Sequence, residues 1–178
     1  MRGLGLAFTV AAPAAPEPWP GQDETPQAFA LRVARAKAAE IAPLYPVAAV
    51  IAADTVVALG QEIMGKPESE DEALAMLTRL AGRTHVVCTG CCVHLPGGAE
   101  EAFCATSEVT MHAWPEAALR AYAAGGEPED KAGAYAIQGQ GAFLVKSVNG
   151  SWTNIVGLPL GELLETLLRH GVITAFNA

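Results

Sequence analysis

Apolar and polar positions recur with different periods along this chain, and the changes of period divide it into elements. "GLAFTV", Gly5 to Val10, is a short apolar run that predicts a first strand. The Pro/Ala-rich loop "AAPAAPEPWPGQDETP" follows, with Pro26 placed to open a helix and Asp23 or Thr25 available as its cap. In "QAFALRVARAKAAEIA", Phe29, Val33 and Ala36 recur at helical spacing. The basic residues Arg32, Arg35 and Lys37 fall toward its C-terminal half, where the helix dipole favours them. "VAAVIAADTVV", from Val47, is continuous rather than alternating, as expected of a strand covered on both faces.

A second helix is predicted from about Ser69 to Leu80, with acid in its first turn and Leu74, Met76, Leu77 and Leu80 on its apolar side. "HVVCTGCCVHL" and "AFCATSEVTMHA" flank Pro96–Gly98 as two strands of a hairpin, and Thr106, Glu108 and Thr110 mark a wet face on the second. Pro115 opens a helix that ends at Gly125-Gly126. A glycine-rich segment, a strand "AFLVKSV", an Asn-Gly turn and a helix from Pro159 to Gly171 complete the chain. This order predicts one α/β domain over residues 1–178, with a mixed twisted sheet flanked by helices.

Composition narrows the function. At 178 residues, 51% hydrophobic and 17% charged, the chain suits a single globular domain. A net charge of −8 argues against a nucleic-acid polymer as partner, but not against a small phosphorylated ligand, which needs only a local cationic cluster. No apolar run approaches a membrane span, and glycine and proline interrupt the only leader-like stretch, at the start, so a cytoplasmic setting is expected. Cys88, Cys91, Cys92 and Cys104 lie close together, with His85 and His94 nearby, which raises zinc. Their segment reads as strand, however, with Cys88 and Cys92 on one face and Cys91 on the other, so buried free thiols are favoured over a metal site or a disulfide.

Three features carry candidate chemistry. Asp54 sits inside an apolar run, where it either ends a strand and binds nearby backbone N–H groups or stands at the rim of a sheet to hold a cation or take a proton. Lys66 of "GKP" precedes a helix, as a solvated loop lysine or a phosphate ligand. Gln138 lies in "KAGAYAIQGQGA", either reading a base edge or resting on a surface turn. No nucleophile elbow and no His-Glu-x-x-His is present, so acyl transfer and zinc proteolysis have no support.

Taken together, "RVARAKA" (32–38), "AADTVV" (52–57), "GKP" (65–67), "AMLTRLAGRTHVVCTG" (75–90), "DKAGAYAIQGQGAF" (130–143) and "NGSWTNIVGLPL" (149–160) resemble the Maf family of septum-formation-inhibitor-like nucleoside triphosphate pyrophosphatases. The resemblance implies a two-lobed α/β fold like that of the inosine triphosphate pyrophosphatases, and hydrolysis between the α- and β-phosphates. It implies a divalent cation, magnesium or manganese, and often a homodimer. It gives Asp54 the part of proton acceptor, Thr55 and Gln138 a part in base choice, and Lys37 and Lys66 places at the triphosphate. "GAYAIQG" is similar to the subgroup acting on dTTP and UTP.

The sequence departs from the family at two points. The family's opening strand and Ser-x-Ser-Pro-Arg-Arg loop should precede "LGLAFTV", and no such block stands there. An Asp-Glu pair usual in the Pro/Ala-rich region is reduced to Glu17, which is assigned beside Asp54 to the metal. Two readings follow: an active dTTP/UTP pyrophosphatase, or a catalytically impaired nucleotide-binding or regulatory relative affecting septum formation.

Overall fold

The computed structural model describes residues 1–16 and 18–174. Its centre is a five-stranded sheet in the order β2-β1-β3-β4-β5, formed by β1 (Val50–Leu59), β2 (Glu62–Met64), β3 (Thr84–His94), β4 (Glu100–Met111) and β5 (Val145–Asn149). Helices α1 (Pro26–Ile41), α2 (Glu70–Leu80), α3 (Glu116–Ala123), α4 (Trp152–Ile155) and α5 (Leu160–Arg169) accompany it. The α/β class with flanking helices is as expected. Strand direction is not mixed among the described residues, because every pairing there is antiparallel. Two tight connections account for much of this: Gly60-Gln61 turns β1 directly into β2, with Gly60 at φ 66°, and residues 95–99 turn β3 into β4.

Helix α1 opens as its sequence suggests. Thr25 is the cap, its hydroxyl accepting from the Ala28 N–H at 3.2 Å, and Pro26 is the first helical residue. The buried stripe differs by one step from the expected one: Phe29, Ala30, Val33, Ala34, Ala38 and Ile41 face inward, while Ala36 is exposed. Alanines dominate because the helix lies almost on the sheet. A Cβ at Gly90 of β3 would stand 2.4 Å from the Ala30 carbonyl, so only glycine permits this approach. Nor does the helix dipole explain the basic residues, since none lies in the last turn. Each meets an acid instead: Arg32 with Glu24 at 2.7 Å, Arg35 with Glu100 at 2.8 Å, and Lys37 with Asp54 at 2.7 Å.

The opposite face carries the larger core. Val57, Val87 and Val109 of the sheet pack with Leu77 and Leu80 of α2 and with Leu119 and Tyr122 of α3, each large side chain contributing about 1.5–3 kcal/mol by burial. Leu163 and Leu167 of α5 close on Cys91 and Val93. Cysteines divide as alternation requires: Cys88 and Cys92 face α1, Cys91 faces α5, and all four are free thiols. Burial pushes the Cys91 thiol up to about 12 and Cys92 to about 11, which suits inert core packing.

Two other expectations are corrected. Gly5–Val10 forms no strand; its apolar side chains are not buried, with Val10 79% exposed, so nothing rewards the ordering of a sheet there. The strand expected from Ala142 begins only at Val145, because Gly139–Leu144 coils into a 3-10 helix. No helix among the described residues is long and apolar enough to cross a membrane.

Candidate active site

Strand β2 is short enough to leave a gap. It pairs only with Val57–Leu59, so among the described residues no strand covers the Val50–Val56 side of β1 that faces away from β3. A cavity of about 1000 Å³ lies along this open edge. Of the two placements the sequence left open, a strand end and the rim of a sheet, the strand end does not hold. Asp54 sits in the middle of β1, opposite Gly90, on a stretch whose edge is uncovered.

Successive residues on an edge point to opposite faces, and here both faces border the same cavity. Asp54 points to the α1 side, where the Lys37 ammonium donates to its Oδ1 at 2.7 Å. Both groups are largely buried, with side-chain exposures of 22% for Lys37 and 12% for Asp54. The close seating of α1 over Gly90 favours this pair, because it brings the helix, with Lys37 in its fourth turn, down to the strand. Thr55 points to the other side. Its Oγ1 lies 2.9 Å from Oγ1 of Thr89, and Thr89 donates to the Asn154 carbonyl at 3.0 Å.

Lys66 and Gln138 complete the expected set on the cavity wall. Lys66 is carried by the segment before α2, whose Gly65 carbonyl accepts from the Gly133 N–H at 2.9 Å. Lys131 pairs with Asp130 on the same wall, and its hydrogen bond holds the Asp130 carboxyl below its usual range, with Lys66 adding a smaller field. Gln138 is exposed on a segment held from behind. Glu127 accepts from the N–H groups of Gln140 and Gly141 at 2.9 and 2.7 Å, and the Tyr122 hydroxyl accepts from Ala136 at 3.2 Å. Those N–H groups help keep the Glu127 carboxyl low, against the opposing pull of burial.

All five of Lys37, Asp54, Thr55, Lys66 and Gln138 thus border one cavity. Glu17, expected as a metal ligand, lies outside the described residues. The donors on the wall suit a hard cation. Asp54, Glu68, Glu72 and Asp130 offer carboxylate oxygen, and neither cysteine nor histidine lines the cavity among the described residues. No cluster of three or more acidic, cysteine or histidine side chains placed to hold a metal occurs among those residues. A magnesium-like ion held by one or two carboxylates and by substrate phosphates fits that donor set.

Sequence reasoning did not single out Thr89, Asn154, Glu127 or Tyr122. Asn154 is fully buried, and its amide donates to the Val87 carbonyl at 3.1 Å and the Ser107 hydroxyl at 2.9 Å. Polar residues in "THVVCTG" and "GSWTNIV", inside otherwise apolar elements, were the available signal.

Comparison with known proteins bears on the family of the chain. The family model described as "Maf: Maf-like protein" matches residues 1–170. A dTTP/UTP pyrophosphatase of Nitratidesulfovibrio vulgaris is 56% identical over 170 residues, covering 96% of this chain and 81% of the relative. That of Oleidesulfovibrio alaskensis is 51% identical over 180 residues, covering 100% of this chain and 82% of the relative. That of Myxococcus xanthus is 51% identical over 175 residues, covering 98% and 88%. With the matched family model spanning nearly the whole chain, and relatives more than half identical along it, this chain belongs to the Maf family.

Proposed function

We propose that the protein hydrolyses dTTP and UTP to the nucleoside monophosphate and pyrophosphate. The observation that carries the reading is the Lys37–Asp54 pair on the open edge of β1, in a cavity of nucleotide size that also presents Lys66, Thr55 and Gln138. The names of the relatives point to the same substrates. The reading includes a single domain, a cytoplasmic setting and a homodimer acting on free nucleotides.

Little covalent work falls to the protein in such a reaction; it must place water in line and neutralise charge. Lys37 orients the Asp54 carboxylate by its hydrogen bond. Water bonds to the α-phosphorus as its proton passes to Asp54, and the bridging P–O bond breaks so that its electrons leave with pyrophosphate. Lys66 faces the phosphate chain, while Thr55 and Gln138 meet the base. A divalent cation, magnesium or manganese, supplies further charge neutralisation when bound, and Asp54 with Glu17 would hold it.

The test is pyrophosphate release from dTTP, UTP, CTP and GTP with magnesium or manganese, by the wild type and Asp54→Asn. Release from dTTP and UTP that the variant loses is the expected result. Tight nucleotide binding without release, unchanged in the variant, would instead establish a binding protein.

A further inference from the structure

One hydrogen-bond chain at the cavity has its direction fixed by chemistry. Thr89 Oγ1 lies 3.0 Å from the Asn154 carbonyl and 2.9 Å from Thr55 Oγ1. A carbonyl only accepts, so the single hydroxyl hydrogen of Thr89 goes to it. Reversing the chain would put two buried oxygens face to face without a proton, which is costly because Thr89 is fully buried. Thr55 therefore donates to Thr89, and what its hydroxyl shows the cavity is a lone pair.

The carbonyl at the end of the chain is itself held in place. It accepts from the Gly157 N–H at 2.9 Å, and the Asn154 side chain is fixed between Val87 and Ser107. The amide cannot be flipped, because its Oδ1 would then face the Val87 carbonyl. Gly157, at φ 107°, borders the same hydroxyl, and a Cβ there would stand in ordinary contact with Thr55 Oγ1 at 3.4 Å.

We infer that Thr89, oriented by the Asn154 carbonyl, is a positioning residue that fixes Thr55 as a hydrogen-bond acceptor and thereby selects bases with an N3–H, uracil and thymine, over cytosine. Uracil and thymine carry a donor at N3 where cytosine carries a lone pair. An acceptor at Thr55 completes a hydrogen bond with the first and opposes the second. The inference rests on the pyrophosphatase reading for the identity of the ligand.

The test separates the two ideas by reading binding apart from turnover. Equilibrium binding of UMP and CMP is measured for the wild type, Thr89→Val, Thr89→Ser and Thr55→Val, together with kcat/KM for UTP and CTP. The expected result is a UMP preference that falls about tenfold in Thr89→Val and Thr55→Val and survives in Thr89→Ser. A folded Thr89→Val protein that keeps its preference would overturn the inference, as would a wild type with none. If Thr89→Val does not fold, Thr55→Val reads the same acceptor. An equal fall for both nucleotides would mark Thr89 as structural only. Absence of pyrophosphate release with the UMP preference intact would count against the enzymatic reading alone.

Discussion

The two faces of the β1–β3 pair solve opposite problems with neighbouring residues. On the α1 face, Asp54 keeps a charge in a largely buried place because Lys37 stands 2.7 Å away. On the other face, polar groups are neutral: Thr55, Thr89, Ser107 and Asn154 bond one another through hydroxyl, carbonyl and amide N–H groups, while Asn154 Oδ1 has no hydrogen-bond partner among the described residues. His85, on that same face, donates to or accepts from the Tyr135 hydroxyl at 2.7 Å, and burial lowers its pKa to about 4. The contrast follows from what each face can supply. A helix packed close can deliver an ammonium to a strand, whereas a core of leucine and valine has no counter-charge to offer and accommodates neutral groups. One residue step along an open edge thus gives the cavity a charged side and a neutral side, which the proposed function assigns to phosphate and to base.

Four experiments test that contrast. The largest effect belongs to the charged face: Asp54→Asn lowers kcat for pyrophosphate release about 10³-fold. A variant with more than a tenth of the wild-type rate would remove Asp54 as proton acceptor.

Next in size is the acid response of the neutral face. Unfolded His85 takes up a proton near pH 6.5, while the folded residue holds off until about pH 4. The unfolded state therefore binds more protons in this window, so stability falls as pH drops from 6.5 to 4 and levels off below. The His85 contribution is about 3 kcal/mol across the window. Chemical unfolding at pH 7 and pH 4 should show that part of the acid loss vanish in His85→Gln; an unaltered loss would deny His85 the role.

Gly90→Ala tests what builds the charged face. A methyl group forced against the Ala30 backbone costs about 2–3 kcal/mol and lowers Tm by several degrees. Nucleotide turnover should fall as well, because Lys37 moves with the helix. Stability lost with kcat intact would separate the helix seat from the ion pair. Ser107→Ala has the smallest effect, about 1–2 kcal/mol, since it leaves the Asn154 amide and the Ser151 N–H each short of an acceptor. Thermal unfolding reads it, and a Tm equal to that of the wild type would show that water replaces the hydroxyl.

Local signals carried most of the secondary structure. Thr25-Pro26 opens α1, Ser69 caps α2 by accepting from the Glu72 N–H at 3.2 Å, and the split of the cysteines between faces follows from alternation alone. The β1–β2 hairpin was not anticipated, because its second strand is only Glu62–Met64 and too short to show a period. Gly5–Val10 erred the other way: an apolar run has strand propensity, but a strand exists only where another backbone accepts its hydrogen bonds.

Asp54, Lys66 and Gln138 were legible as candidates from their own side-chain chemistry and surroundings, and Lys37 and Thr55 from the resemblance of their motifs to the Maf family. Their grouping was not, since it joins residues up to 101 positions apart. Tertiary structure alone decided that Asp54 lies mid-strand on an open edge, that Gly90 lets α1 descend to place Lys37 beside it, and that Thr89 and Asn154 set which way the Thr55 hydroxyl points. Each of those outcomes depends on which backbone lies within about 3 Å of which side chain, a relation among distant segments that no local pattern encodes.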